Sequence, residues 1–471
     1  MKCAVTQVYS DEKMERLYHG ALRVLRETGY FIDHDFFLDE FAKRRMTVDR
    51  TKRRVFFTDD LINDLLMPDP ERYRGREFRE AYPCGAGVSG SYPKYYDWPT
   101  RTSQPGNSAL LKELVRVFGS MAEFSHAGRV LTLSDVPQAI EPILATALVI
   151  KHSPKPAGGE VYKADNIPYL IELGEIATGK PNCTDYVPSC TFVVPPLKMT
   201  RDEGDLIIAK ARYDLPAVAG TMPSSGATSP VTREGTVVIE LAEIIGIWLC
   251  YRLIQPGIEL GTISASSMFD MREGTCSFSA PEAIIQDCAT SQICRRYFGA
   301  NARMSAGYVD AKTPGIQATC EKLFKTWWGH QFLGSGGYAG GLLEAGQAFS
   351  PAQALLDLEI RDSLNVLFRN EPTLEDQIPF EDIYDVATKH GTFLDTDHTM
   401  KLFRQVLAHP MLFDRSPRRS DEEEARKSAG LLDRAQAGYE DARRKAPEFV
   451  ASTEICRAVD RVVEKAKRHL L

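Results

Sequence analysis

Metal-ligand spacing is missing from this sequence. Its ten cysteines are scattered with no C-x-x-C pair, and none of its nine histidines forms H-x-x-x-H or H-E-x-x-H. Cys288 and Cys294 could share a helix, but no histidine is close by in sequence, and buried thiols are the simpler reading. No metal is expected in the chain. An excess of positive charge is also missing. Lys and Arg number 57 against 64 Asp and Glu, a net charge of −7, which leaves no basic footprint for nucleic acid. No long apolar run is free of charge: Val237 to Ile254 holds Glu240, Glu243 and Arg252, so it reads as a core helix rather than a bilayer span. Residues 1–17 reach Asp11 and Glu12 without a sustained apolar core, which predicts no signal peptide, reduced cysteines and a cytoplasmic protein. Nothing resembles a Ser-His-Asp set or a two-metal carboxylate cluster.

What is there is a repeat. From about Glu123, strand-like and helix-like segments alternate about seven times up to residue 370. Thr200-Arg201-Asp202-Glu203 is a capping box, and Ser350 with Pro351 opens the last helix of the series. An eighth strand is expected at Cys84 to Gly90, and a short strand at Gln331 to Leu333. Alternation at this spacing implies a parallel sheet. The series favours a closed (β/α)8 TIM barrel, an α/β fold, over 81–410, with an N-terminal helical extension (1–80) and C-terminal helices (411–471).

Chemistry in such a fold belongs to the loops after the strands. The sharpest feature there is G-S-G-G-Y-A-G-G, residues 334–341. It contains G-x-G-x-x-A, but it sits late in the series with no helix at its third small residue, which speaks against a dinucleotide fingerprint. A flexible turn is one alternative; a barrel mouth whose backbone approaches a large ligand is the other. Asn301, Arg303, Ser305 and Gly307 fall on one strand face, which is either a polar wall of the mouth or internal hydrogen bonding. Glu160 and Glu344 are the acids nearest strand ends, and each taken alone reads as a surface carboxylate. Phe192, Tyr308 and Tyr338 are aromatics near strand ends, and Thr221 and Ser264 close two further strands.

The run D-A-K-T-P-G-I-Q-A-T-C-E-K (310–322), the glycine-rich loop and S-P-A-Q-A-L-L-D-L-E-I (350–360) resemble the trimethylamine methyltransferase family. So do S-D-V-P (134–137), S-P-V-T-R-E-G (229–235), D-M-R-E-G (270–274) and F-L-D-T-D-H-T (393–399), and the likeness spans nearly the whole chain. Thr313 and Gly315-Ile316 depart from the family pattern, and the loop is richer in glycine. The resemblance implies a (β/α)8 barrel that passes a methyl group from a methylated amine to the Co(I) of a separate corrinoid protein. No cofactor would be bound in this chain itself, and a homo-oligomer is expected. Asp310, Lys312, Gln317 and Glu321 are the family-like residues of the mouth. Gly334, Gly340 and Gly341 would face the corrinoid carrier.

Family members acting on trimethylamine carry pyrrolysine, whereas this sequence holds only standard residues. A quaternary ammonium leaves as a neutral amine and needs no such adduct, so the resemblance implies a betaine-like substrate. Its cation would meet Tyr308, Tyr338 or Phe192 with Glu160 or Glu344 nearby, and its carboxylate Arg303 or the amides of Gly336 and Gly337. Two rivals are a phosphate-ligand barrel using the glycine loop as an anion nest, and a non-catalytic betaine-binding protein.

Overall fold

The computed structural model describes residues 6–74, 84–334, 338–368, 378–389, 391–407 and 409–471. Strands and helices alternate through its centre. The strands are β1 (Ala86–Val88), β2 (His126–Gly128), β3 (Pro156–Ala157), β4 (Cys190–Phe192), β5 (Ala217–Thr221), β6 (Leu260–Ser264), β7 (Asn301–Met304) and β8 (Tyr338–Ala339). Each is followed by one long helix: α1 (Ser108–Ser120), α2 (Glu141–His152), α3 (Ile167–Thr178), α4 (Arg201–Arg212), α5 (Arg233–Ile254), α6 (Pro281–Phe298), α7 (Ile316–Leu333) and α8 (Pro351–Phe368). The chemistry of the caps accounts for several starts. Asn107 accepts the Leu110 N–H at 3.0 Å, and Thr200 with Glu203 completes the capping box.

The strands pair in parallel as two arcs of four, β3-β2-β1-β8 and β4-β5-β6-β7. Among the described residues no ladder closes them into a barrel, which corrects the closed eight-stranded barrel expected from the repeat. Pairing stops between β3 and β4 because β3 is two residues long and holds Pro156, which has no N–H to give, with Gly158-Gly159 just beyond. At the other seam, residues 335–337 before β8 lie outside the described chain. Both seams are in contact all the same. A Cβ on Gly158 would lie 2.5 Å from the Tyr186 carbonyl oxygen, and above β7 and β8 the Glu344 and Ala345 N–H groups donate to Ala311 and Val309 at 2.8 and 2.7 Å.

Direction follows from contacts at the ends. Cys84, just before β1, donates its N–H to Asn365 near the end of α8 at 2.6 Å, and its Sγ lies 2.7 Å from Nε2 of His330 near the end of α7. Strand starts and helix ends thus share one end; the opposite end is the mouth.

The glycine-rich run is accordingly not one loop over the mouth. Gln331-Phe332-Leu333, expected as a strand, is the last turn of α7, where Trp328 and Phe332 stack at 4.6 Å. Gly334 is the left-handed C-cap of that helix (φ 66°) and lies at the end away from the mouth. Gly340 and Gly341 are buried. Gly341 has φ 79°, a Cβ on it would meet the Phe349 ring at 2.4 Å, and its N–H donates to Asp357 at 2.7 Å. Its amide is therefore already used, and these three glycines serve packing rather than a docking carrier. Asp357 is also salt-bridged to Lys322, and both side chains are only 1% exposed.

The N-terminal unit does not stand apart. Its helices Asp11–Glu27 and Asp59–Leu66 share one core with α5 and α6, through Leu17, Ala21, Leu25, Ile62, Leu241 and Ile245. Its strand Tyr30–Ile32 pairs with Lys198–Met199, between β4 and α4. Trp248 locks α5 beneath β5 and β6 by donating to the carbonyls of Ala217 and Gly261 at 3.0 and 2.9 Å. The C-terminal helices also pack: Tyr439 stacks on Phe118 and bonds Glu113 at 3.0 Å, while Val459, Val462 and Ala466 sit against α2 and α3. None of the described helices is long and apolar enough to cross a membrane.

Candidate active site

Strand parity decides which side chains reach the space inside the arcs. Ala217, Ala219 and Ala302 belong to the core shared with the helices. Thr191, Thr221 and Ser264 are on the same side. Thr191 bonds Tyr251 at 3.0 Å, Thr221 donates to Glu243, and Ser264 donates to Glu240 at 2.6 Å. Thr221 and Ser264, expected at the mouth, therefore face α5.

The inner face carries the alternate residues. Phe192, Gly220, Ile263 and Arg303 form one row across β4 to β7, on the mouth side of Cys190, Val218, Gly261 and Asn301. Phe192 and Cys190 both lean over Gly220, where a Cβ would lie 2.7 Å from either side chain. Asn301 and Arg303 are exposed although helices cover the other side of their strand, so the inner face is open to solvent at this edge of the arc. Among the described residues Arg303 makes no ion pair.

Glu160 follows β3 at the mouth, held by its own N–H donating to Ser91 Oγ at 3.1 Å. Protein surrounds its carboxyl, yet part of its surface stays accessible, as a cavity wall requires. Burial raises its pKa, and the charges of Lys210 and Arg129 pull it back. The negative charge is felt by the hydroxyls of Tyr92, Tyr162 and Tyr308. Burial pushes the Tyr308 phenol up to about 12, so it is neutral at ordinary pH. The Tyr308 ring lies against Gly346 and 5.6 Å from Phe278. Lys325 fixes this pair by donating to the Phe278 and Tyr308 carbonyls at 2.9 and 3.0 Å. The result is an acid, Glu160, and a fixed aromatic pair, Tyr308 and Phe278, on loops that follow strands.

Tyr92, Arg129, Tyr162, Lys210 and Phe278 were not singled out in the sequence. Tyr92, Arg129, Tyr162 and Phe278 lie on connecting segments without periodicity, and Arg129 falls within the strand-like run 127–133, which hid its place just after the observed strand. Lys210 is fully buried on α4 and donates to the Cys190 carbonyl at 2.6 Å; burial lowers its pKa to about 8.

The other expected residues have different surroundings. Glu344 is paired with Lys94 at 3.1 Å, and its charge is satisfied. Gln317 is exposed in the first turn of α7 and donates to Glu321 at 2.6 Å. Glu321 in turn accepts the Asp310 and Ala311 N–H groups at 2.8 and 3.1 Å, and Asp310 accepts the Phe278 N–H at 2.8 Å. These residues position the Tyr308 and Phe278 loops. Gly336 and Gly337 lie outside the described residues, as does the side chain of Tyr338; its backbone pairs with Ala86 in the same arc as β3. Among the described residues no group of three or more His, Cys, Asp or Glu converges as a metal site.

Behind the site, burial raises Glu243 to about 7. Between the ordinary carboxylate range and that value the folded chain keeps a proton the unfolded chain has lost, so this group lowers stability as pH rises through the window. Glu243→Gln should still accept from Leu197 N–H, 2.8 Å from Glu243 Oε1, and should flatten the pH dependence of the melting temperature between pH 5 and 8. An unchanged slope would contradict this assignment.

A parallel α/β fold with an acid and aromatic residues on the loops after its strands has the form of an enzyme with its site at the strand ends. The sequence profile described as Trimethylamine methyltransferase (MTTB) matches residues 1–469, and the chain belongs to that family of methyltransferases. The trimethylamine methyltransferase MttB of Methanosarcina barkeri (strain Fusaro / DSM 804) is 25% identical over 427 residues, covering 87% of this chain and 85% of that protein. The glycine betaine methyltransferase of Desulfitobacterium hafniense (strain Y51) is 23% identical over 428 residues, covering 87% of each. The Methanosarcina barkeri monomethylamine methyltransferase (MtmB) shares the fold, with a TM-score of 0.51 at 13% identity over 99% of this chain and 89% of that one. A hydroxylamine complex of MtmB gives 0.52 at 14% identity, over 93% and 89%.

Proposed function

We propose that this methyltransferase takes a methyl group from a quaternary, betaine-like amine and delivers it to the Co(I) centre of a separate corrinoid protein. In this reading the two arcs are the halves of a (β/α)8 barrel, touching at the Gly158–Tyr186 and Glu344–Ala311 seams. The observation that carries the proposal is the placement of Glu160, after β3 and tied to Ser91, at the same strand ends as Tyr308, which follows β7. A quaternary nitrogen accepts no hydrogen bond and is recognised by ring faces and a nearby negative charge, which Tyr308 and Glu160 would supply. The corrinoid would supply a strong nucleophile from outside this chain. The residues here then have to hold the cation, turn one methyl outward and exclude water. Cation binding must stay moderate, because the positive charge disappears as the methyl leaves.

Arg303, one row in from the mouth and without an ion-pair partner among the described residues, would take the carboxylate of a betaine. Arg303→Ala should raise KM for glycine betaine about 10- to 100-fold while leaving an amine without a carboxylate unaffected. The test follows decay of the Co(I) absorption of a reduced corrinoid protein with glycine betaine or trimethylamine. Turnover of trimethylamine alone would overturn the quaternary reading.

A further inference from the structure

Arg129 is buried at the strand ends with few acceptors for its charge. It directly follows β2, its side chain is 0% exposed, and Nε, Nη1 and Nη2 have no hydrogen-bond partner among the described residues. Glu141, the first residue of α2, brings Oε2 to 3.4 Å from Nη2. That is longer than the ~2.7–2.9 Å of a charge-assisted hydrogen bond, and Glu141 Oε1 already accepts the Leu133 N–H at 3.0 Å. Burying a guanidinium with its donors unmet costs stability. Such a cost is expected where the charge itself is used.

Arg129 meets the Glu160 segment with both its backbone and its side chain. Its carbonyl accepts the Gly90 and Ser91 N–H groups at 3.1 and 2.8 Å, and Ser91 Oγ accepts the Glu160 N–H at 3.1 Å. Its side chain runs against Gly159, where a Cβ would lie 2.5 Å from Arg129 Cβ and 3.2 Å from Nε. The missing Cβ of Gly159 is what lets the arginine pass the residue before Glu160. Among the described residues the Glu160 carboxyl forms no salt bridge. Two cations act on it, Lys210 on α4 and then Arg129, against a burial that favours its neutral form. Lys210 spends N–H groups on the Cys190 carbonyl and Thr191 Oγ1 at 2.6 and 3.0 Å, whereas those of Arg129 remain open. The other titratable groups coupled to Glu160 are Cys190 on β4 and Tyr92, Tyr162 and Tyr308, after β1, β3 and β7. Burial raises the pKa of all four, so they carry no charge at ordinary pH.

Resting on the assignment of Glu160 as the counter-charge of a cationic substrate, we propose that Arg129 is its positioning residue. It holds the 158–160 segment in place and keeps the Glu160 carboxylate charged, without a salt bridge that would occupy it. A quaternary nitrogen does not titrate, and the corrinoid acceptor contributes equally to wild type and variants. A change in the acid limb of the kcat/KM profile therefore reports this chain. Arg129→Met should move that limb to higher pH and lower kcat/KM for glycine betaine at its acid end by about 10-fold or more. Arg129→Lys keeps the charge and should restore most of the loss. A Met variant reduced by the same factor at every pH has lost only packing and overturns the proposal. Since Arg129→Met strands the Glu141 carboxylate, the double variant with Glu141→Gln guards against misfolding and should show the same displaced limb; an unmoved limb overturns the proposal. The infrared carboxyl band that disappears in Glu160→Gln gives a second readout, titrated in the protein without any amine. It should titrate at higher pH in Arg129→Met, and a band that does not move overturns the proposal. A displaced band in a protein that turns over no quaternary amine supports the hold of Arg129 on Glu160 and overturns the substrate assignment instead.

Discussion

Replacing Tyr308 with alanine should lower kcat/KM for a quaternary amine by about 30-fold, while phenylalanine at the same position should keep most of the activity. The first figure is the loss of one desolvated cation–π contact, about 2 kcal/mol, expressed as a rate ratio. The contrast with Phe separates the ring from the hydroxyl. The hydroxyl is neutral at working pH, its pKa pushed up by burial, and it has no charge to give a cation. The ring is held from beneath by Gly346 and from the side by Phe278. Equal loss in both variants would mean that the hydroxyl, not the ring face, meets the substrate. Steady-state kinetics with the corrinoid acceptor decides between them.

The largest stability effect is expected at Asp357. Alanine there strands the Lys322 ammonium in a site where both partners are 1% exposed, and removes the acceptor for the Gly341 and Gln353 N–H groups at 2.7 Å. Leaving one half of a buried pair costs about 3–5 kcal/mol. Burial draws each partner toward its neutral form, and the other's charge opposes it, joined at Asp357 by the hydrogen bonds from Gln353 and Gly341. Lys322→Met with Asp357→Leu should therefore be much milder than Asp357→Ala alone. The Lys94–Glu344 pair is a useful contrast. With side chains 41% and 32% exposed, it should lose only about 0–1 kcal/mol on Glu344→Ala. Urea unfolding midpoints of the three variants give the ranking; a severe double variant would show that the pair matters for more than its charges.

Much of this architecture could be read from the sequence because its markers are local. Asn107, the capping box at Thr200 and the Ser350-Pro351 start each depend on a few adjacent residues. The strand expected at Cys84 to Gly90 is present as β1, but the last strand of the series was misplaced because an apolar triplet at 331–333 suits either a strand or the end of a helix, and periodicity alone does not separate them. Barrel closure was unreadable for a related reason: a repeat counts strands, whereas a ladder needs N–H groups at each seam, and Pro156 has none. Thr221 and Ser264 were expected at the mouth by their place after a strand. A strand has two faces, and a shift of one residue exchanges them. Glu160 could be picked out because Gly158-Gly159 marked a strand end. Tyr92 could not, since it is the geometry of the sheet that brings its segment to Glu160, through Ser91.

The cores of the two arcs also set the order in which the chain can be assembled. Leu17 and Ala21 await Leu241 and Ile245, more than two hundred residues later. The arc begun by β1 and β2 needs Phe349, Leu355 and Tyr439 before its own core is filled. Neither half is complete until most of the polypeptide has left the ribosome. Contacts this distant in sequence make folding slow, because chain closure precedes the burial that rewards it. The early-made half waits with unpaired strand edges, exposed to wrong partners. For this chain, growth at the ribosome and completion of the cores are separate events.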